Sequence, residues 1–544
     1  MGKSFLVTTS LPYANGPLHL GHLLENVQAD IWVRFQRAQG RHCVFLSGSD
    51  VHGTATMMAA EKRGMTPLEW VTTVSEGHRC DLQDFGISLD TFHSTRAEIN
   101  AQLVKLIYMR LESRGCIAKR TIDQLFDVEK GMFLPDRYVR GDCPRCGAKD
   151  QYGDNCEVCS ATYAAVELKN PYSAYSRTKP EMRASEHVFF RLGLCQDILQ
   201  LWLDQASLQA PVRNKLQEWF QAGLRDWDIS RDAPYFGYLI PGYVDKYFYV
   251  WLDAPIGYLA ALQRYGQGDD YIAQVFGGGH LSNWDVHHFI GKDILYFHGL
   301  FWPALLYQAG YNLPSSLHAH GFLSIDGQKM SKSRGTFITI RDCLAHLPPD
   351  VVRYYFASKL NDGIGDIDFS WQDCARRTNA DLVGKIVNLG SRCSGILQKH
   401  FQGALATALH DERLWQHFVD AQVGISAAYE AKQFSHVVRI IIGLADDANR
   451  YIDQHKPWQA VKLAPSTDVQ KVVTMGLVLF RLLVLYLQPI IPTTAARVAQ
   501  MFAEDDLDWA HYAKPSLNVV LAPFPRLVER LDEKNNPFSG GVHG

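Results

Sequence analysis

Residues 5–50 read FLVTTSLPYANGPLHLGHLLENVQADIWVRFQRAQGRHCVFLSGSD, and three signals follow one another along them. FLVTTS (5–10) is rich in β-branched and apolar residues. A Pro/Asn/Gly turn leads to GHLLENVQADIWVRFQRAQG (21–40), whose apolar residues recur at helical spacing. HCVFLSGSD (42–50) reads as the next strand and ends in small residues. Strand, helix and strand in that order predict an α/β fold, a parallel sheet with a right-handed crossover. Ligands in such sheets bind beyond the carboxyl ends of the strands, which places Leu11 to His22 and Ser47 to Asp50 at one site.

At 544 residues the chain is too long for one hydrophobic core, so several packed units are expected. With 47% hydrophobic and 20% charged residues it has the ordinary balance of a folded soluble protein. No apolar run follows a charged start, so no secretory signal is expected. The longest apolar stretch, Val472 to Leu487, contains Thr474 and Arg481 and is shorter than a bilayer span. A buried helix and a cytosolic, membrane-free protein are expected. A net charge of −3 and a pI near 6.7 neither require nor exclude a nucleic acid. Any RNA contact must come from local patches. Residues 375–400 carry Arg376, Arg377, Lys385, Arg392 and Lys399 against Asp381, five minus one, a local +4. A solvated helix face would look the same.

Around 115–230 glycine, proline and cysteine become frequent, the mark of an insertion. Strand-like segments return with KYFYVWLD (246–253), HHFIGKDILYFHG (287–299) and SSLHAHGFLSI (315–325). From about 380 the pattern is helical until LNVVLAP (517–523). The tail NNPFSGGVHG is either frayed or packed across another domain.

Four of the eleven cysteines form two knuckles, Cys143-Pro-Arg-Cys146 and Cys156-Glu-Val-Cys159, nine residues apart. Each knuckle lets one turn present two thiolates, and the pair completes a tetrahedral site for one structural Zn²⁺ with no open position. Gly147 and Ser160 follow the knuckles, where small residues suit a tight backbone. The other seven are expected as small buried apolar residues.

His19-Leu20-Gly21-His22 falls where the first strand turns into the first helix. A helix start offers free N–H groups to phosphate, and the two histidines, three apart, share a face. Gly21 leaves room for a nucleobase or ribose. Such histidines are also common as capping or core residues. Lys329-Met330-Ser331-Lys332-Ser333 follows the turn signal Asp326-Gly327. Two lysines and two serines suit charge developing on a polyphosphate leaving group, and alone they would read as a solvated basic turn.

Together the two segments resemble the signatures of class I aminoacyl-tRNA synthetases. LPYANGPLHLGH (11–22), WDISRDAPYFG (227–237), YVWLDAPIGY (249–258), HFIGKDILYFH (288–298) and KMSKSRGTF (329–337) are similar to the methionyl-tRNA synthetase family, of the bacterial type with four-cysteine knuckles. The resemblance runs from about residue 4 to 525. It implies a Rossmann-type catalytic domain in two halves (1–115 and 231–325) around a zinc-knuckle connective insertion (116–230). It further implies a KMSKS and stem-contact region (326–380), an all-α anticodon-binding bundle (381–535) and a tail (536–544).

By the same resemblance, the carboxylate of L-methionine attacks the α-phosphorus of ATP, with Mg²⁺ accompanying the nucleotide. The methionyl group then passes to the 3′-terminal ribose of tRNA(Met). His19, His22, Lys329 and Lys332 are the implied catalytic residues, with Gly21, Ser331, Lys332 and Ser333 at ATP. Asp50 would pair with the substrate ammonium. Leu11, Tyr13, Trp251, Pro255, Tyr258 and His298 would line the thioether pocket, Tyr258 and His298 each able to donate to sulfur. Arg231, Lys292 and Asp293 match family positions near the site.

Asn388, Arg392 and Trp458 match positions that read the CAU anticodon, with Asp453 supporting Arg392; Trp458 reads equally as a helix-cap core residue. Gly384 departs from the asparagine that relatives often carry there, which puts part of the polar contact set in doubt. No β-rich dimerising extension follows the bundle, so a monomer is expected. Competing readings are a nucleotidylyltransferase or sister synthetase, and a catalytically silent RNA-binding relative. The long helical half speaks against the transferase, the short insertion against the branched-chain enzymes, and the intact histidines and lysines against the silent relative.

Overall fold

The computed structural model describes residues 3–135, 138–153, 156, 158–159, 161, 163–267, 270–277, 283–330 and 336–538. The opening segment folds as read: strand β1 (Ser4–Thr9), helix α1 (Leu20–Ala38) and strand β2 (Cys43–Ser49), with β3 (Thr91–Ser94) next in the chain. Among the described residues, six parallel strands make the main sheet. Their order is Ser207–Leu208, Ser316–His320, Trp284–Gly291, β1, β2, β3. Every residue of β2 is buried, as a parallel strand covered on both faces requires. Connections run one way from β1 to β2 and return on its other side through Trp284–Gly291. The order therefore reverses at β1, where a crevice opens.

Three strand readings are corrected. KYFYVWLD is strand only over Lys246–Phe248, and Val250–Tyr265 is helix. Trp251, Ala254, Pro255 and Tyr258 fall at helical spacing there and override the β-prone composition. In HHFIGKDILYFHG the strand stops at Gly291, and the chain winds through a 3₁₀ turn and a wide π turn (Phe297–Phe301) into helix Trp302–Ala309. LNVVLAP forms a single bridge, Val520 to Ala404.

The insertion is antiparallel. Ile117–Asp127 pairs with Glu181–Phe190, and Val139–Asp142 pairs with Gln151–Tyr152 and Lys169–Ser173 to frame the cysteines. Ser207–Leu208, inside the span expected for the insertion, instead joins the edge of the main sheet.

Beyond 388 the chain packs as helices Asn388–Phe401, Glu412–Glu430, Phe434–His455, Pro457–Leu463, Thr467–Leu487 and Pro492–Met501. Thr467–Leu487 is the bundle's core, buried without a break from Val472 to Leu487. It is the one helix among the described residues long and apolar enough to cross a membrane, and 89% of its most apolar window lies inside the fold.

A buried joint ties the bundle to α1. Asp30 meets Arg353 at 2.6 Å, and Arg353 donates to the carbonyls of Pro489 and Ile490. Against the cost of burial, Arg34 and Arg353 hold the Asp30 carboxyl far below the usual range. The end of the chain, up to residue 538, packs rather than frays. Trp371 donates to the Asp532 carbonyl at 3.1 Å, and the Phe538 ring meets His346, Phe369 and Trp371.

Candidate active site

A cavity of about 850 Å³ opens at the crevice beside β1. His19, Gly21 and His22 line it together with Lys329 and Met330, three hundred residues away in the chain. Backbone bonds fasten the two segments: Leu20 N–H donates to the Ile338 carbonyl, and Ile340 N–H donates to Leu18. Gly21 is needed at this closure. A Cβ there would lie 2.9 Å from the His19 ring and 3.0 Å from the Met330 methyl. Ser331, Lys332 and Ser333 lie outside the described residues.

His19 is the N-cap of α1. Its Nδ1 accepts from Gly21 N–H at 3.0 Å, and His22 Nδ1 accepts from His19 N–H at 3.3 Å. An Nδ1 that accepts a backbone proton carries none itself, so each ring holds its proton on Nε2. The rings stack at 3.8 Å between centroids. Burial, with His19 beside it, pushes His22 well below the usual imidazole range. The histidines are thus caps and cavity walls at once: neutral donors held rigid at a helix start.

Leu11, Tyr13, Asp50, Trp251, Pro255, Tyr258 and His298 all line the same cavity. Trp251 stacks on Phe297 at 3.6 Å. Tyr258 and His298, expected as possible donors to a thioether, are hydrogen-bonded to each other. His298 Nδ1–H donates to the Ile294 carbonyl at 3.2 Å, so its Nε2 accepts from the Tyr258 hydroxyl at 2.9 Å. Burial holds the ring neutral, with its pKa down at about 4. Each side chain is held by a hydrogen bond, and the pair presents a preorganised polarizable wall. Asp50 is 3% exposed and its Oδ1 has no partner. Burial, then the charge of Asp253, pushes its carboxyl well above the usual range.

Asp293 also lines the cavity. Lys292 pairs with Asp366 at 2.6 Å, and Arg231 stacks on Tyr249 in a neighbouring cleft of about 820 Å³. That cleft shares Tyr13 and Trp251 with the cavity and adds Lys62, Arg63 and Tyr152.

Two cavity residues escaped the sequence reading. Glu25 accepts from Ser10 N–H at 2.7 Å and lies 3.5 Å from His320, which it lifts above the usual imidazole range against burial. Glu25 follows His22 by three residues on α1, a spacing that marks it for the same face. His320 carried no such signal.

The four cysteine sulfurs lie within 4.8 Å of one another, with Cys143–Cys159 at 3.8 Å and Cys146–Cys156 at 3.6 Å. A tetrahedron of Zn–S bonds near 2.3 Å has edges of about 3.8 Å. Cys146 N–H and Cys159 N–H donate to Cys143 and Cys156 sulfur, and Gly147 takes a positive φ of 74°. These donors fit a structural zinc ion. Of the seven other cysteines six are buried, and Cys80 is partly exposed.

At the far end of the bundle Arg392 lies over the Trp458 ring at 4.4 Å and pairs with Asp453 at 2.9 Å. Asn388, one turn earlier on the same helix, is exposed. Gly384 lies in a wide π turn (Thr378–Val387), and a Cβ there would sit 3.0 Å from the Asn379 carbonyl. The basic window 375–400 is largely compensated. Arg376 and Arg377 meet Asp373, Lys385 meets Asp446, and Arg392 meets Asp453.

A switch-point cavity closed by a histidine-bearing helix start and a lysine-bearing turn, with a helical bundle behind it, defines a class I aminoacyl-tRNA synthetase. The family model "tRNA synthetases class I (M)" matches residues 5–394, and "Anticodon binding domain of methionyl tRNA ligase" matches 406–524. The chain belongs to that methionyl family. Three structures of Mycobacterium tuberculosis methionyl-tRNA synthetase are similar in fold. The first, in complex with methionyl-adenylate, has 24% identity and a TM-score of 0.80, covering 96% of this chain and 100% of that one. A second, bound by methionyl-adenylate, has 23% identity and 0.79, covering 96% and 99%. The apo form has 23% and 0.73, covering 98% and 99%.

Proposed function

We infer that the chain activates L-methionine with ATP to methionyl-adenylate and pyrophosphate, then transfers methionine to the 3′-terminal ribose of tRNA(Met). The observation that carries this is one cavity walled by both signature segments. His19 and His22 offer Nε2–H to the triphosphate as charge builds in the transition state, a role electrostatic preorganisation suits. Lys329, with Lys332, Ser331 and Ser333, holds the β- and γ-phosphates, and Gly21 lets the nucleotide lie close. Mg²⁺ arriving with ATP would shield the phosphates.

Asp50 binds the ammonium, while Leu11, Tyr13, Trp251, Pro255 and the Tyr258–His298 wall hold the thioether. The acceptor end enters by the cleft beyond Trp251, where Lys62, Arg63 and tyrosines suit an unpaired strand. Asn388, Arg392 and Trp458 read the CAU anticodon, by stacking and edge contacts. The enzyme acts as a cytoplasmic monomer.

Pyrophosphate exchange with each of the twenty amino acids tests this. Methionine alone should support strong exchange, and Lys332→Ala should abolish it. Equal exchange with another amino acid would overturn the reading.

A further inference from the structure

Asp50 does not stand alone beneath the cavity. Asp253 is fully buried in the first turn of helix Val250–Tyr265, the helix whose Trp251, Ala254, Pro255 and Tyr258 face the cavity. Asp253 points off that face and is not part of the lining. Its Oδ2 meets His52 Nδ1 at 2.5 Å, its Oδ1 has no partner, and no other charge acts on Asp50 as strongly. His52 is 3% exposed and wedged between Phe236 and Tyr238 rings. Its backbone N–H faces the Asp50 carboxylate and favours the charged form. One imidazole thus stands beside two buried carboxylates, and both carboxylates keep an oxygen unsatisfied. Leaving such groups unpaired is costly, so the site is built to gain a cation.

We propose that Asp253, tethered by His52, is a positioning residue that sets how tightly Asp50 holds the ammonium of the amino-acid substrate. It never touches the substrate. It places His52, whose backbone orients Asp50, and it adds a second negative charge behind the one that makes contact. The remaining titratable groups around the pair are Tyr13, Tyr235, Tyr238 and Tyr249, with Glu25 and Tyr258 on the far wall. Burial keeps Tyr13, Tyr235 and Tyr258 protonated through the neutral range. This inference rests on the reading of Asp50 as the ammonium's partner.

The sign of the pH dependence follows. In the free enzyme Asp50 is lifted by burial and by Asp253. Below that pKa, methionine binds only if Asp50 releases its proton, so KM for methionine rises as pH falls. Asp253→Asn keeps the shape and removes the like charge. It should raise KM for methionine on the order of tenfold at pH 8, and move the acid limb of kcat/KM down by about one pH unit. KM for ATP should stay within about twofold.

A merely structural role would lower the active fraction, or raise KM at every pH alike, and leave the limb in place. Rates are therefore normalised to sites titrated by adenylate formation. If Asp253→Asn does not fold, His52→Asn, which removes the tether, must raise KM for methionine in the same direction. Asp50→Asn run in parallel separates the two claims. A normal KM there sinks the ammonium reading itself. A raised KM in Asp50→Asn, beside a wild-type KM and limb in Asp253→Asn, overturns this proposal alone.

Discussion

The two ends of the molecule handle charge in opposite ways. In and just behind the cavity wall, Asp50 and Asp253 are buried with unsatisfied oxygens, and His22 and His298 are held neutral by burial. At the far end of the bundle Arg392 is already neutralised by Asp453 and covered by Trp458, and Asn388 stands exposed. Among the described residues no histidine beyond 380 is buried. A chemical site in low dielectric makes each charge count and needs it unpaired until substrate arrives. A reading site for flexible bases gains from groups held in place by one another and open to water. The difference teaches that the two halves should fail differently.

The sharpest break is His22→Ala. With the role proposed above for His22, its removal should slow pyrophosphate exchange by about 10²–10³-fold, while binding of the isolated anticodon stem-loop stays as it was. Equal loss of both would erase the contrast.

Acid should act next, through the catalytic half. His22, His287, His288 and His318 are held well below the usual imidazole range by burial, and His93 and His298 are down at about 4. For each, the unfolded chain binds a proton that the fold refuses, so stability is lost as pH falls below about 6.5; for His93 and His298 the loss is about 2 kcal/mol per ring at pH 5. His187 and His320, lifted by their carboxylates against burial, oppose the trend without reversing it. Calorimetric Tm should drop from pH 7 to 5. His288→Gln should reduce the slope by about one proton, and an unchanged slope would count against burial as the cause.

The smallest effect belongs to the exposed end. Trp458→Ala should cost about 1–3 kcal/mol in tRNA charging, read as kcat/KM for tRNA, and leave exchange within about twofold. The exposed Arg392–Asp453 pair itself contributes little, so Asp453→Asn should shift stability by less than about 1 kcal/mol. A large loss of exchange in Trp458→Ala would show the halves to be one unit.

Much of this was legible because it is local. The β–α–β opening, the knuckles and the histidines at a helix start all rest on neighbours within a few residues, where spacing dictates geometry. The misread segments failed for a related reason: Tyr247 to Asp253 has β-prone composition, but tertiary packing selected helical winding after Phe248. The net charge of the 375–400 window could not show its pairing: Asp373 stands just outside it on the same helix as Arg376 and Arg377, and Asp446 and Asp453 come from another helix.

The residues alone determined which chemistry the chain carries: thiolates in knuckle pairs, histidines three apart, two lysines on a turn. Only the folded molecule decided that Gly21 meets Met330, that the Tyr258 hydroxyl donates a hydrogen bond to His298, and that Asp253 stands behind Asp50. Each of those depends on bringing together groups 40 to 309 residues apart, and on water being excluded around them. Spacing along a chain records neither. Burial sets where the protons sit, and burial belongs to the fold.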